Sequence, residues 1–262
     1  MSAQANRPAG APQGLIRAHM ATFPEREGVF RTAVEAILPQ VDRMVILFNG
    51  YTDVPPDIAA NPRIESITTD VDTRDLGRFF QPPGADDIVF LLDDDIGYPS
   101  DYVARSIEQA SLIGWDGAVF GYQGFVYRDG SDGRPRGWRQ WRSFDRLPKA
   151  RGARMLGCGT VVARGDKIPS ISWMAPYIGH SDAGFALHAL NHGWKAWALP
   201  RPEGWLAEDM TLPEGPRPTP PLPVVAALRK IIDADLDHVD VAHSKYAKAG
   251  GGARSAAKAT GA

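Results

Sequence analysis

The chain has 262 residues, enough for one large domain that buries its own core without a disulfide or structural metal. It is 44% hydrophobic and 23% charged with a formal net charge of −2, so overall charge does not draw it to nucleic acid or anionic lipid. A single cysteine, Cys158, excludes an internal disulfide framework and a cysteine-based zinc cluster.

Residues 1–14 lack the apolar stretch of a secretory signal and are expected to form a flexible leader. Residues 15–21 read as a strand that ends in a polar turn. Val29, Phe30, Ala33, Val34, Ile37 and Leu38 then recur at helical spacing, which predicts an amphipathic helix over 28–38. A buried strand follows at 44–48, a weaker strand at 64–68 and a short helix at 75–80. Residues 87–92 are apolar on both faces, as a central parallel strand should be. Ser100 is the expected N-cap of a helix running to about Ile113, and 117–121 reads as another strand. This alternation of strand and helix argues for a doubly wound α/β sheet. The apolar runs 44–48 and 88–92 hold five residues each, far below the roughly 20 that a spanning helix requires. The expectation is a cytoplasmic protein with no membrane span.

Between 125 and 155 the character changes. Nine Lys or Arg face three Asp, with Trp138 and Trp141 interleaved. No period is sustained, so an irregular or hairpin excursion is expected. Such a segment can cover a bound donor or acceptor, track a polyanion or form a solvated hairpin. The first reading is favoured over nucleic-acid binding. Regular structure resumes at 156–164, a helix at 181–192 is closed by Gly193, and 195–199 is the expected last strand. The domain is bounded at 15–212. A Pro-rich linker and C-terminal helix occupy 213–246, with the helix near 224–232 packing back on the domain. Residues 247–262 are low-complexity and expected to be disordered.

Asp93, Asp94 and Asp95 follow the strongest strand directly. In open α/β sheets, ligands bind at the carboxyl ends of the strands. In extended backbone Asp93 and Asp95 would point one way and Asp94 the other. The alternate pair could share a hard divalent ion, Mg²⁺ or Mn²⁺, that keeps positions free for substrate phosphates. The plainer alternative is an acidic turn capping the next helix. His188 and His192 stand one helical turn apart. Ala189 occupies the place where the zinc-protease pattern requires Glu, so that chemistry is not expected.

The run VFLLDDDIGYPSDY at 89–102 resembles the Asp-x-Asp region of GT-A glycosyltransferases, especially family 2-like bacterial enzymes. The preceding ATFPER (21–26), QVD (40–42) and VILFNGY (45–51) match in order and spacing, and the resemblance covers 15 to 206. It implies a GT-A-like, Rossmann-like fold: a mixed, mostly parallel sheet flanked by helices, here with a Pro-rich C-terminal extension. It also implies a metal-dependent hexosyltransferase that moves sugar from a nucleotide-sugar donor, a UDP-sugar first among them, to a saccharide or other hydroxyl acceptor. By the same resemblance Thr22, Pro24, Arg26, Asn49, Asp72, Arg74, Asp93 and Asp94 would bind the donor. Asp95 and Asp93 would hold Mn²⁺ or Mg²⁺, and His180, which stands beside Asp182 in the sequence, is expected as a further metal or phosphate contact. Gly157, Cys158 and Gly159 in LGCGT (156–160) would face the acceptor; Trp141 and Arg142, from the reading of the basic segment as a cover over substrate, are expected to join them.

Asp182, in HSD (180–182), would be the general base and would give inversion at the anomeric carbon. At a helix N-terminus its carboxylate should stay ionised, although Asp182 or Ser181 could equally be a simple cap. Two other readings stand beside this one. A sugar nucleotidyltransferase usually carries a Gly-rich loop after the first strand, and HMATFP (19–24) has no glycine. A non-catalytic carbohydrate- or nucleic-acid-binding module on the same fold would bind ligand without turnover.

Overall fold

A computed structural model describes residues 7–129, 135–208 and 220–239. In chain order the elements are β1 (Ile16–Thr22), α1 (Glu27–Ile37), β2 (Arg43–Asn49), α2 (Pro56–Ala59), β3 (Ile64–Thr69), β4 (Ile88–Leu92), β5 (Ile96–Gly97), α3 (Tyr102–Ile113) and β6 (Ala118–Gly121). There follow β7 (Gly124–Asp129), β8 (Pro135–Trp141), β9 (Arg151–Ala153), β10 (Met155–Leu156), β11 (Thr160–Arg164), α4 (Ile171–Met174), α5 (Ser181–Asn191), β12 (Lys195–Ala198), β13 (Ala207–Glu208) and α6 (Leu222–Asp233). The short helix predicted at 75–80 is a 3₁₀ segment, Arg74–Phe79.

Eight strands form the central sheet in the order β3-β2-β1-β4-β11-β6-β12-β9. The strands β3, β2, β1 and β4 are mutually parallel, β12 is parallel to β6, and β11 and β9 run against their neighbours. This is the mixed, mostly parallel α/β sheet expected from the sequence. The order reverses between β1 and β4, and β1, β2 and β4 deliver Thr22, Asn49 and Asp93 to one edge of the sheet. Such a switch point is where doubly wound sheets open a crevice for ligand.

The apolar run of β4 serves both faces. Ile88, Phe90 and Leu92 join Phe30, Ile37, Met44 and Tyr102 on one side of the sheet, and Val89 and Leu91 join Leu76, Phe79, Val161 and Phe185 on the other. Each such side chain, withdrawn from water, contributes roughly 1.5–3 kcal/mol. The helix α1 has the predicted buried stripe of Phe30, Ala33, Val34 and Ile37. Gly193, at φ +69° after α5, adopts the left-handed backbone that favours glycine at a helix end.

Several expectations are corrected. Ser100 does not cap α3: Asp101 precedes the helix without a side-chain cap bond, and its carboxylate accepts Trp205 Nε1 at 2.9 Å. The strand β12 is not the last, because β13 pairs with β5. Of the leader expected to be flexible, residues 11–14 are docked. Gln13 and Gly14 donate backbone N–H groups to Asp86, and Ala11 is buried. The basic segment contains a hairpin, β7 against β8. The Pro-rich stretch at 213–219, the tail at 247–262 and Arg134 lie outside the described residues, as does the side chain of Trp138. Among the described residues no helix is long and apolar enough to cross a membrane.

The helix α6 begins earlier than expected, at Leu222, and packs back as the sequence suggests. Val224, Ala227 and Ile231 are buried against Ala183, Ala186 and Leu187 of α5. Arg154 Nη1 donates to the Ile231 and Ala234 carbonyls at 2.9 and 2.7 Å, satisfying the C-terminal end of α6. A Cβ on Gly152 would collide with the His238 carbonyl oxygen. Gly152→Ala is therefore expected to push residues 234–239 off the sheet, lowering Tm by several degrees at about 2–4 °C per kcal/mol. Differential scanning calorimetry checks it, and an unchanged Tm would contradict that close approach.

Candidate active site

Two clefts open at the carboxyl edge of the sheet and share one residue, Asp75. The first is lined by all eight residues expected to bind donor, Thr22, Pro24, Arg26, Asn49, Asp72, Arg74, Asp93 and Asp94, together with Asp95. Long-range pairing of the parallel strands brings them together, since β1, β2, β3 and β4 each end toward this cleft.

The Asp triplet does not alternate as extended backbone would. The chain turns after Leu92, so all three carboxylates line the first cleft. Arg26 Nη1 donates to Asp94 Oδ1 at 2.6 Å and to Asp95 Oδ2 at 2.8 Å. Burial opposes the charge on Arg26, but Asp94 and Asp95 hold its pKa above the ordinary value. Burial raises Asp94, and Asp94 Oδ2 is buried without a partner. Burial, with Asp93 adding its repulsion, pushes Asp95 up to about 6.

Asp93 is held from three sides. Its Oδ1 lies 2.6 Å from Arg78 Nη2, its backbone N–H donates to the Tyr98 hydroxyl at 3.0 Å, and its Oδ2 fills the space a Cβ on Gly159 would need. Tyr98 also donates to the Gly159 carbonyl at 2.8 Å, so the IGYP turn locks the triplet onto the Gly-rich strand entry. Asn49 works through the loop instead of projecting freely. Its amide accepts from the Thr73 backbone N–H at 2.9 Å and donates to the Arg74 carbonyl at 3.1 Å. Asp72 accepts from the Arg74 backbone N–H at 2.8 Å. Arg74, at φ +47°, is the one described non-glycine residue in left-handed backbone.

The second cleft contains Asp182 and His180. Asp182 is not a simple cap. Its Oδ1 accepts the backbone N–H of Cys158 at 2.8 Å, while Asp75 takes the N–H groups of Gly179 and Ser181 at 2.7 and 2.9 Å. With capping delegated to Asp75, burial pushes Asp182 up to about 6, and the Cys158 hydrogen bond opposes that rise. A carboxylate at that value remains mainly ionised at pH 7 and suits proton abstraction near neutrality.

His180 lies with Asp182 in the second cleft and does not line the first. Among the described residues no three His, Cys, Asp or Glu side chains are grouped to hold a metal ion, so the trio of Asp93, Asp95 and His180 is not assembled. The expected acceptor contacts need similar correction. Cys158 is 1% exposed and burial raises its thiol pKa, which leaves its backbone N–H as its link to the site. Gly157 and Gly159 admit Gln123 and Asp93, whose side chains fill the space a Cβ would take. Trp141 is half-buried against the core and Arg142 lies over the Phe144 ring at 5.6 Å; neither lines either of these two clefts. Gln140, next to Trp141 on β8, lines the second cleft instead, as strand alternation permits.

Sequence reasoning missed Asp75 and Arg78. Arg78 is 6% exposed, pairs with Asp93, and donates from Nε to the Asp75 carbonyl at 2.9 Å. Buried His19, held near pKa 4 by desolvation, has Nδ1 3.1 Å from the Arg78 carbonyl. The available signal was an acid and a base three residues apart in RDLGR (74–78), just before the strongest strand. The pair His188 and His192 stacks with Trp194 and Trp173 away from both clefts.

No family model and no curated protein matches the chain. Among solved structures it is similar to glucosyl-3-phosphoglycerate synthase from Mycobacterium tuberculosis in complex with Mn²⁺, UDP and phosphoglyceric acid. The TM-score is 0.43 and the identity 14%, covering 90% of this chain and 82% of that one. A complex of the same enzyme with Mg²⁺ and UDP gives 0.40 and 15%, over 90% and 83%. A further structure, described as a mycobacterial protein, gives 0.43 and 15%, over 89% and 77%. These scores are low, and the fold rests on the strand order and register given above.

Proposed function

We propose that the protein is a metal-dependent glycosyltransferase that moves a sugar from a nucleotide-sugar donor, a UDP-sugar, to a hydroxyl acceptor with inversion. The observation that carries this reading is the pair of clefts meeting at Asp75. One is lined by carboxylates at the switch point of a parallel sheet, and the other is lined by a half-buried carboxylate poised near neutral pH.

The donor set of the first cleft fits a hard divalent ion. Six carboxylates there outnumber three guanidiniums, so a nucleotide diphosphate would meet a negative surface unless a cation came with it. An orphaned Asp94 oxygen and the raised Asp95 mark carboxylates short of positive partners. Asp95 and Asp93 would hold Mn²⁺ or Mg²⁺, whose charge would offset that of the diphosphate.

The chain's own groups supply the rest. Arg78 and Tyr98 fix Asp93, and Arg26 fixes Asp94 and Asp95. Asn49 holds the 72–74 loop at the donor's flank. Asp182 takes the proton of the acceptor hydroxyl as its oxygen bonds to the anomeric carbon and the bond to the diphosphate breaks. Attack from the face opposite the leaving group inverts the centre.

Thermal-shift measurements with UDP, GDP and ATP, each with and without Mn²⁺, test the reading. The expected result is stabilisation by UDP that requires the metal, with Mn²⁺-dependent hydrolysis of a UDP-sugar. Pyrophosphate release from a nucleoside triphosphate offered together with a sugar 1-phosphate would point to a nucleotidyltransferase. Binding without turnover would point to a recognition module. No nucleotide response at all would sink the reading.

A further inference from the structure

We propose that the second cleft takes an uncharged hydroxylated acceptor with one apolar face, such as a sugar ring or its alkyl or aryl glycoside. We further propose that α6 forms the wall that recognises that face. The inference rests on the glycosyltransferase reading and adds the chemical class of the acceptor to it.

The cleft is divided by chemistry. At one end stand Asp75 and Asp182, and Gln123 and Gln140 add neutral amides that can donate to and accept from hydroxyl groups. The rest of the wall is apolar: Phe125, Met155, Val224 and Leu228. No Lys or Arg lines this cleft among the described residues. Arg74 approaches its rim at Gly179 but lines the first cleft, and Arg154 spends its Nη1 on the α6 carbonyls. Among the described lining residues a phosphorylated or carboxylated acceptor would bring its charge against two acids, with the His180 imidazole as the one basic side chain to meet it. A neutral ring can instead present its C–H face to Phe125 and Leu228 and its hydroxyls to the amides and Asp182.

The placement of α6 is fixed, not incidental. Val224 is 1% exposed with Ala227 and Ile231 packed beneath it, and Arg154 ties down the far end of the helix. Leu228 is half-buried and lies one turn beyond Val224 on the same face, where it can meet an occupant. Helix α6 thus supplies one wall of this cleft.

The test uses the full chain with Mn²⁺ and its UDP-sugar donor. Acceptors are offered as matched pairs: methyl and phenyl glycosides against the same sugars carrying a phosphate. Transfer to the neutral partner is expected with kcat/KM at least about 10-fold higher. Leu228→Lys is expected to move that ratio at least about 5-fold toward the phosphorylated partner, and Leu228→Ala to raise KM for the phenyl glycoside. Leu228 is half-buried, so both variants should fold, and circular dichroism melts confirm it. Donor hydrolysis with transfer mainly to phosphorylated acceptors would overturn this inference alone. An unmoved ratio in folded Leu228→Lys would overturn the role of α6. Failure of both hydrolysis and transfer with every acceptor would overturn the glycosyltransferase reading and this inference together.

Discussion

Replacing Asp182 with Asn is expected to lower sugar transfer by about 10²–10⁴-fold, the contribution of a positioned general base, while metal-dependent nucleotide binding persists. The substitution is conservative in shape. Asn keeps an oxygen able to accept the Cys158 N–H bond, which is 2.8 Å long in the parent, and the N–H groups before α5 remain on Asp75. What is lost is the basic carboxylate. Burial places its pKa at about 6, above the ordinary 3.8, so the base is the ionised form present above that value. Transfer by the parent should fall as pH drops through about 6 and level off above it. The residual rate of the Asn variant should lose that group's inflection. The same shift has the opposite sign for stability. A carboxyl raised in the fold favours the protonated native state, so its stabilising contribution is complete below the unfolded pKa and is lost as pH rises through about 6. Asp182→Asn should therefore not lower Tm at pH 7. Steady-state rates across pH, with Tm followed alongside, decide the matter. A variant that transfers sugar at the parent rate would leave Asp182 a structural residue.

The elements that could be read from the chain were those with strong local patterns. The stripe of α1, the two-faced run of β4 and the Gly193 stop after α5 each follow from spacing or from one residue's backbone freedom. The eight residues expected to bind donor line one cleft because they stand at or just after the carboxyl ends of four parallel strands, Thr22, Pro24 and Arg26 with β1, Asn49 with β2, Asp72 and Arg74 with β3, and Asp93 and Asp94 with β4. The failures lie where tertiary geometry decides. Whether Trp141 or Gln140 faces the cleft depends on the register of β8, and a one-residue change of face exchanges them. The alternation assumed for Asp93–Asp95 ended because the strand itself ends at Leu92. Asp75 and Arg78 sit in a 3₁₀ segment with weak periodicity. Their partners Gly179, Ser181 and Asp93 are distant in sequence, so nothing local reveals that they join the two clefts. His180 looked like a ligand by proximity to Asp182, but its cleft is not that of the carboxylate triplet.

Asp95→Asn should separate function from stability most sharply. Metal-dependent UDP binding is expected to weaken at least about 10-fold, since even residues that only orient a ligand cost about 10–100-fold in metal affinity when removed. The free protein should be no less stable, and the reason lies in the charge balance of the cleft. Asp95 shares Arg26 Nη1 with Asp94 and stands beside Asp93, so it ionises against burial and against its neighbours. With its carboxyl pushed up to about 6, the native state at pH 7 carries a charge it would shed at lower pH. A neutral amide removes that burden, and Arg26 keeps its 2.6 Å contact with Asp94. A diphosphate entering the variant would then meet one carboxylate fewer with which to retain a cation. Thermal melts should show a parent whose Tm rises with UDP and Mn²⁺ together, and a variant with an equal or higher starting Tm that rises little. Chelation with EDTA should bring the parent's UDP response down to the variant's. A lower starting Tm in the variant would mean that Asp95 holds the fold through Arg26. An undiminished metal-dependent rise would place the cation elsewhere in the cleft. Carboxylates that strain against one another in the free protein are the groups a divalent ion relieves, which is why a costly triplet at the end of a fully buried strand points to ligand binding more strongly than to folding.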